Sequence, residues 1–259
     1  MILTFDIGNA NIVMCCVEGG KRLCRFVLST NKSRTADEYS VVMGLLAKKN
    51  GVDLLEAQGS IIASVVPQLT GVLAEAVKSC TGKRPLIVGP GVKSGLNIRM
   101  DDPTELGGDL VAAAVSAMET YPLPCVVIDM GTATAIGVID AKGSYIGGLI
   151  CPGVGLSQSS LAKGASQLPN VSLEAPRHVI GKNTRDSMQS GLINGTAAML
   201  DGVIERVEAE LGAACSVVIP GDSAAEIIPH CRRDGIIADE DLVMRGLWSI
   251  YRRNCKGKN

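Results

Sequence analysis

The chain has 259 residues, of which 46% are hydrophobic, and 25 basic against 26 acidic side chains give a formal net charge of −1. This balance disfavours a nucleic-acid-binding protein, because such proteins present a wide basic surface. Only two histidines are present, which disfavours a histidine-based zinc site or a Ser-His-Asp triad.

Cysteine usage and the start of the chain indicate the compartment. The nine cysteines form no C-x-x-C pair, so we expect them to be small buried side chains in a reducing environment. Asp6 interrupts the apolar start, and no signal peptide or apolar run of transmembrane length is recognisable. The sequence therefore predicts a cytoplasmic protein with no membrane partner.

The first half of the chain predicts strands that alternate with helices after an initial hairpin at Gly19-Gly20. In order, the predicted elements are strands at 2–7, 11–18 and 22–29, a helix at 36–50, a strand at 60–66, a helix from Pro67 to about Cys80, a strand at 86–88, a loop through residue 97, and a helix from near Pro103, capped by Asp102 or Thr104, to about Tyr121.

The second half predicts a similar order. Its elements are strands at 124–129, 133–139 and 144–150, a helix near 154–164, a long helix from Asn183 or Thr184 to Leu211, a strand at 217–219, a helix after Pro220-Gly221-Asp222, an extended piece at 235–237 and a helix at 240–253. This alternation predicts an α/β fold of mixed, mainly parallel sheets flanked by helices. We predict domains at 1–121 and 122–259.

An acidic turn occurs twice, about half the chain length apart. Asp6-Ile7-Gly8-Asn9 and Asp129-Met130-Gly131-Thr132 each follow one apolar run and precede another. A single turn of this kind is most simply a hairpin turn. Two copies at domain spacing instead favour a phosphate site, in which turn N–H groups meet an anion and a carboxylate holds hydrated Mg²⁺. The repeat predicts two similar domains with a cleft between them.

A second candidate is Gly107-Gly108-Asp109. On a helix that begins near Pro103, Asp109 lies about two turns in, and each glycine costs roughly 1 kcal/mol relative to alanine. Such a cost suggests that a ligand approaches the backbone, and Asp109 could accept a proton from a substrate hydroxyl. A solvated aspartate on a kinked surface helix explains the same residues equally well.

Two further motifs are less specific. Gly181-Lys182-Asn183-Thr184 resembles the end of a P-loop, but Pro176 stands where that motif requires glycine. It predicts either an anion site at a helix N-terminus or simple helix capping. The glycines between Gly147 and Gly155 permit close backbone packing or the wall of a cleft.

Taken together, these stretches resemble the type III pantothenate kinases, within the acetate and sugar kinase, Hsp70 and actin superfamily. The resemblance covers nearly the whole chain and implies two duplicated actin-like (ribonuclease H-like) domains facing a cleft. It implies ATP-dependent phosphorylation of pantothenate, the first step of coenzyme A synthesis. It also implies a homodimer, Mg²⁺, and a monovalent cation, K⁺ or NH₄⁺.

The resemblance also implies roles for individual residues. Asp109 would be the general base, Asp129 would hold the monovalent cation, and Asp6 would hold Mg²⁺ through the phosphates. The residues expected to bind ATP are Asp6, Ile7, Gly8, Asn9, Ala10, Asn11, Ile12, Val13 and Thr132. Those expected to bind pantothenate are Met100, Gly107, Gly108, Asp109, Leu110 and Thr184.

The chain departs from the family pattern at several positions. Leu110 stands in place of an arginine, Met100 in place of a tyrosine, Ala10 in place of threonine or serine, and Pro220-Gly221-Asp222 in place of Thr-Gly-Gly. Loss of the arginine would weaken substrate binding by on the order of 2–4 kcal/mol, with Arg99 as a partial replacement. Two alternatives follow: a weak or inactive relative with a binding or regulatory role, and a kinase for another small hydroxylated substrate.

Overall fold

A computed structural model describes residues 1–221 and 224–255, which form two compact units. The first unit comprises Met1–Leu96, Asp101–Glu119 and the stretch that begins at Asp241. The second comprises Asn97–Met100 and Thr120–Glu240. The domain limits proposed at residues 121 and 122 stay a prediction, and the last helix belongs to the first compact unit.

The first unit contains a five-stranded sheet in the order β3-β2-β1-β4-β5. Its elements are β1 (Ile2–Ile7), β2 (Asn11–Glu18), β3 (Lys21–Ser29), α1 (Ala36–Lys49), β4 (Gly59–Ser64), α2 (Pro67–Thr81), β5 (Leu86–Ile87), α3 (Gly108–Thr120) and α7 (Leu242–Cys255). β1 runs antiparallel to β2 and parallel to β4. The sheet is therefore mixed, with its parallel part at β1, β4 and β5.

Local sequence explains where these elements begin and end. Thr35 and Glu38 form a reciprocal capping box at α1, and Pro67 occupies the first turn of α2. Gly19 and Gly20 both have positive φ, as a two-residue hairpin between β2 and β3 requires. The proline and hairpin predictions are confirmed.

The second unit contains a six-stranded sheet in the order β11-β10-β7-β8-β9-β6. Its elements are β6 (Asn97–Ile98), β7 (Cys125–Met130), β8 (Ala133–Ile139), β9 (Ser144–Pro152), α4 (Val154–Gly164), α5 (Thr184–Leu211), β10 (Ser216–Pro220), α6 (Ala224–Ile227) and β11 (Ile236–Asp239). β7 runs antiparallel to β8 and parallel to β10. Asp222, from the turn predicted before α6, lies outside the described residues.

The two sheets share one strand order, which confirms the duplication predicted from the acidic turns. β1, β2 and β3 correspond to β7, β8 and β9, and β4 and β5 correspond to β10 and β11, with β6 added beside β9. In each sheet the acidic turn connects the two central antiparallel strands at the carboxyl end of the first.

Each unit has a core of its own. α1 and α2 cover one face of the first sheet, where Phe5, Tyr39 and Leu73 are buried. α5 packs on β7, β8 and β10 in the second unit, where Ile128 and Leu200 are buried. Among the helices of the described residues, none combines the length and the apolar character that a membrane span requires.

Two sequence-based predictions about the segment before residue 110 are wrong. The helix predicted from Pro103 is interrupted: a 3₁₀ turn spans Pro103–Glu105, Leu106 is extended, and α3 begins at Gly108. Asp102 caps only the short turn, because its carboxylate accepts a hydrogen bond from the Thr104 N–H at 2.8 Å. The loop predicted through residue 97 ends one residue earlier, where the unpredicted two-residue strand β6 begins at Asn97.

α3 and α7 pack closely within the first unit, at Gly246. A Cβ added there would overlap the carbonyl oxygen of Ala112 in α3. α7 also contacts β1 and β4, so this contact holds two helices on the sheet face opposite α1 and α2.

We expect Gly246→Ala to destabilise the protein by roughly 1–3 kcal/mol, because the helices must separate to admit a methyl group. Gly71→Ala in α2 is the matched control, since no atom lies within 4 Å of its added Cβ. That variant should gain up to about 1 kcal/mol from helix propensity. Denaturant unfolding checks both changes, and equal stability of Gly246→Ala and the parent would contradict the packing described.

Candidate active site

The first acidic turn lies at the carboxyl end of β1. Asp6 is the penultimate residue of β1 and pairs with Val13 of β2 and Ala63 of β4. Ile7 and Ile12, both predicted to bind ATP, are almost fully buried in the core. Only their backbone groups can therefore reach a ligand.

One hydrogen bond within the turn and two from Thr30 fix the shape of its backbone. The Gly8 N–H donates to the Asn11 carbonyl at 2.9 Å. Thr30, just past β3, donates its hydroxyl to the Gly8 carbonyl at 2.6 Å and its N–H to the Ala10 carbonyl at 2.9 Å. Asn9, Ala10 and Asn11 are exposed on this fixed turn, so it presents a preformed surface of polar backbone groups.

The start of α3 lies against the same strand end. A Cβ added to Gly108 would lie 3.3 Å from the Val88 Cβ and 3.5 Å from the Ala63 Cα. Ala63 is the register partner of Asp6 on the parallel strand β4. The first unit therefore brings Asp6 and Asp109 to one neighbourhood at the carboxyl ends of β1 and β4.

Gly107 makes room for the Asp109 carboxylate. A Cβ added at Gly107 would lie 2.5 Å from Asp109 Oδ1 and 3.2 Å from Val65 Cγ1. The same Oδ1 accepts a hydrogen bond from the Leu110 N–H at 2.7 Å. The glycine pair is thus explained by packing between protein groups, and Asp109 lies in the first turn of α3, where the sequence predicted a position two turns in.

The environment of Asp109 favours its protonated form more than water does. The side chain is half-buried, and burial raises the pKa of its carboxyl, while the hydrogen bond from the Leu110 N–H opposes the rise. A carboxylate with a raised pKa at a helix start is a typical general base. Leu110 beside it is also half-buried and offers no charge.

The second acidic turn, in the other unit, is held by a different helix. Asp129 pairs with Ala135, and the Gly131 N–H donates to the Ala133 carbonyl at 3.0 Å. The Gly153 N–H, at the N-cap of α4, donates to the Thr132 carbonyl at 3.1 Å. A Cβ on Gly153 would overlap the Gly131 carbonyl oxygen, so only glycine permits this approach.

A cavity of about 270 Å³ adjoins this turn. Its lining residues come from the end of β7, the start of α4, the loop before α5, and α6: Met130, Gly131, Val154, Gly155, Leu173, Glu226 and Ile227. Thr132, predicted to bind ATP, is exposed on the turn. The cavity is a candidate nucleotide site contained within the second unit.

The remaining predicted substrate residues also belong to the second unit. Met100 is half-buried and follows β6, where the Arg99 N–H donates to the Tyr145 carbonyl at 2.8 Å. Thr184 is exposed and begins α5, which Asn183 caps by accepting the Asp186 N–H at 2.9 Å. Helix capping explains Asn183, and a ligand role for Thr184 stays a prediction.

Oxygen donors at the two turns suit the cations that the sequence suggests. Within residues 1–221 and 224–255, no cluster of three or more acidic, histidine or cysteine side chains could hold a metal by itself. Mg²⁺ commonly binds through one or two carboxylates together with water and substrate phosphates. One carboxylate at each turn fits that mode.

Several residues of the site were missed by sequence reasoning. Glu226 and Leu173 line the cavity from segments with no recognisable motif. Val65 and Val88 contact the glycine pair from the ends of neighbouring strands. A parallel-strand register could have indicated the valines, since parallel strands end at one edge, whereas nothing local to Glu226 predicts its position.

Sequence comparisons connect these features with known proteins. The family model for type III pantothenate kinase matches residues 2–206. A type III pantothenate kinase of Moorella thermoacetica is 41% identical, over 98% of this chain and 100% of its own length. One from Myxococcus xanthus is 39% identical, over 98% of this chain and 99% of its own.

A solved structure supports the fold. The activator of the 2-hydroxyisocaproyl-CoA dehydratase from Clostridium difficile superposes with a TM-score of 0.60 at 15% identity. The match covers 100% of this chain and 98% of that one. The two mixed sheets flanked by helices therefore form an actin-like α/β fold, as the sequence predicts.

The raised pKa of Asp109 has a measurable consequence for stability. Because the folded chain binds this proton more tightly than the unfolded chain, the free energy of unfolding falls as pH rises from the ordinary aspartate range through the raised folded pKa. We therefore expect Asp109→Asn to gain stability relative to the parent as the pH rises above the ordinary aspartate range.

Asp102 supplies a control of opposite sign. Its pKa is lowered by hydrogen bonds from the Thr104 hydroxyl and N–H, so Asp102→Asn should lose stability relative to the parent as the pH rises into the ordinary aspartate range, below the interval in which Asp109→Asn gains stability. Denaturant unfolding at a series of pH values measures both. A pH profile of Asp109→Asn parallel to that of the parent would show that burial does not perturb Asp109.

Proposed function

The chain belongs to the type III pantothenate kinase family, and from this premise we propose which of its residues carry out the reaction. The protein is a kinase that phosphorylates pantothenate with ATP in coenzyme A biosynthesis. The observation that carries our assignment is the packing of Gly108 on Ala63, which brings Asp109 and Asp6 to one strand edge.

Asp109 is proposed as the general base. Its carboxylate accepts the proton of the pantothenate hydroxyl as that oxygen attacks the terminal phosphorus of ATP and the bond from this phosphorus to the bridging oxygen breaks, which releases ADP. Burial raises the pKa of Asp109, which makes the carboxylate a stronger proton acceptor than an exposed aspartate. The rest of the rate comes from positioning and electrostatic stabilisation.

The first turn is proposed to bind the phosphates of ATP. Asp6 and the backbone from Ile7 to Val13 are the groups involved, and their support is the turn fixed by Thr30. Mg²⁺ bound there would neutralise phosphate charge. Asp6 would hold it through water and phosphate oxygens, in keeping with its single carboxylate.

The second turn is proposed to bind a monovalent cation, K⁺ or NH₄⁺, through Asp129, and to contact ATP through Thr132. The support is the corresponding position of Asp129 in the duplicated sheet, together with the adjoining cavity. Oxygen donors from a carboxylate and from turn carbonyls are suited to such a hard cation.

Gly107, Gly108 and Leu110 are proposed to bind pantothenate, and the family resemblance separately assigns a substrate role to Met100 and to Thr184. Leu110 supplies no cation for the pantothenate carboxylate, so we expect weaker substrate binding than an arginine would give. Arg99, exposed next to Met100, is the proposed partial replacement.

Assembly and location also belong to the proposal. We infer a homodimer from family membership. We infer a cytoplasmic location, supported by cysteines such as Cys15, Cys16 and Cys125 that are buried like small apolar side chains.

Asp109→Asn should lower kcat about a hundredfold or more, because the amide cannot accept the proton. The assay follows ADP release with ATP, Mg²⁺, K⁺ and pantothenate. Asp53→Asn is the control, since Asp53 only caps a 3₁₀ turn by accepting the Leu55 N–H. Undiminished turnover in Asp109→Asn would exclude it as the base.

The same assay separates the alternatives for the parent protein. Turnover with another small hydroxylated acceptor in place of pantothenate would indicate a changed substrate. Binding of ATP without any turnover would indicate an inactive relative.

Asp129→Asn should raise the K⁺ concentration for half-maximal activity by about tenfold, since a charged oxygen ligand is replaced by a neutral one. The dependence on Mg²⁺ should change much less. Asp234→Asn, at an exposed aspartate of the same unit, is the matched control. Superimposable K⁺ titrations for both variants and the parent would refute a cation role for Asp129.

A further inference from the structure

The cavity of the second unit is lined by residues of the acidic turn and of the helices α4 and α6. Gly131 of the acidic turn lies on one side with Val154 and Gly155 of α4, joined through the contact of Gly153 with the turn. Glu226 of α6 also lines the cavity. At about 270 Å³ the cavity is slightly smaller than the usual range for ligand pockets, roughly 300–1,000 Å³, and suits one part of a nucleotide.

The lining of the cavity is mainly apolar and includes one acidic side chain. Met130, Val154, Leu173 and Ile227 are apolar, and Glu226 is the one charged side chain among the described lining residues. A carboxylate repels phosphate, so a phosphate next to Glu226 would be destabilised. Glu226 instead suits a neutral group that donates hydrogen bonds.

Two adjacent hydroxyl groups match a carboxylate especially well. Each hydroxyl can donate to one carboxylate oxygen, and hydrogen bonds to an ionised acceptor are the stronger kind. The ribose of ATP carries such a pair at its 2′ and 3′ positions. The apolar lining residues offer a suitable surface for the base.

The neighbour of Glu226 fixes its backbone. Ile227 is 2% exposed and packs in the core of the second unit. Because Ile227 is anchored, the backbone of α6 is held beside the cavity, and Glu226, itself exposed, lines the cavity from there.

We propose that Glu226 binds the ribose hydroxyls of ATP and makes the enzyme select ribonucleotides over deoxyribonucleotides. The inference rests on the proposed nucleotide site and adds to it a residue that determines specificity. It requires no new covalent step.

The test compares nucleotides that differ by one hydroxyl. Dissociation constants for ADP and 2′-deoxyADP are measured by calorimetry for the parent, Glu226→Ala and Glu226→Gln. Kinetics with ATP and 2′-deoxyATP are measured in parallel. Glu210→Gln, at an exposed glutamate of α5, is the matched control, and thermal unfolding checks that every variant is folded.

The parent should bind ADP about tenfold more tightly than 2′-deoxyADP. Glu226→Ala should weaken ADP binding by more than about tenfold and weaken binding of 2′-deoxyADP, which keeps its 3′ hydroxyl, by less, so that the two nucleotides bind nearly equally, with an intermediate effect in Glu226→Gln. The KM for pantothenate should stay constant. Glu210→Gln should retain the selectivity of the parent.

The two proposals fail in different ways. Unchanged selectivity in a folded, active Glu226→Ala variant would overturn the ribose contact and leave the kinase assignment intact. Selective ADP binding without phosphoryl transfer to pantothenate would support the ribose contact and overturn the kinase assignment. A parent protein that binds ADP and 2′-deoxyADP equally would also overturn the ribose contact.

Discussion

The central constraint of the first unit is the close approach of the start of α3 to the end of β4. Gly108 lies against Ala63 and Val88, and Gly107 leaves space that the Asp109 carboxylate fills. Ala63 is the parallel-strand partner of Asp6, so this contact determines which two carboxylates share an edge. A side chain at either glycine would move the helix or its aspartate. The position of the proposed base therefore depends on Gly107 and Gly108, which have no side chain that could take part in the reaction.

In the second unit, a different helix makes a similar close approach to the end of a central strand. Its acidic turn meets α4 at Gly153, where a side chain would overlap the turn backbone. In both units a glycine permits backbone to approach backbone at the carboxyl end of a central strand, and a helix starts there. N–H groups at a helix start favour anions, which makes these positions suitable for a phosphorylated ligand.

Much of the fold could be predicted from the sequence because its signals are local. Apolar runs, the Gly19-Gly20 hairpin and Pro67 gave the strands and helices of both halves. The start of α3 could not be predicted in this way: Asp102 is a good cap, but it caps only a 3₁₀ turn, and packing against β4 decides where the helix begins. The position of Glu226 depends on how α6 packs, which no local pattern encodes. The acidic turns were recognisable because their residue types and their spacing both repeat.

The central claim is that Asp109 and Asp6 serve one reaction from one strand edge. A crystal structure with pantothenate and a non-hydrolysable ATP analogue tests it most directly. Our account predicts the substrate hydroxyl oxygen about 2.6–3.2 Å from an Asp109 carboxylate oxygen, with the phosphates of the analogue at the Asp6 turn. A hydroxyl bound by another group, with Asp109 directed away from it, would contradict the account.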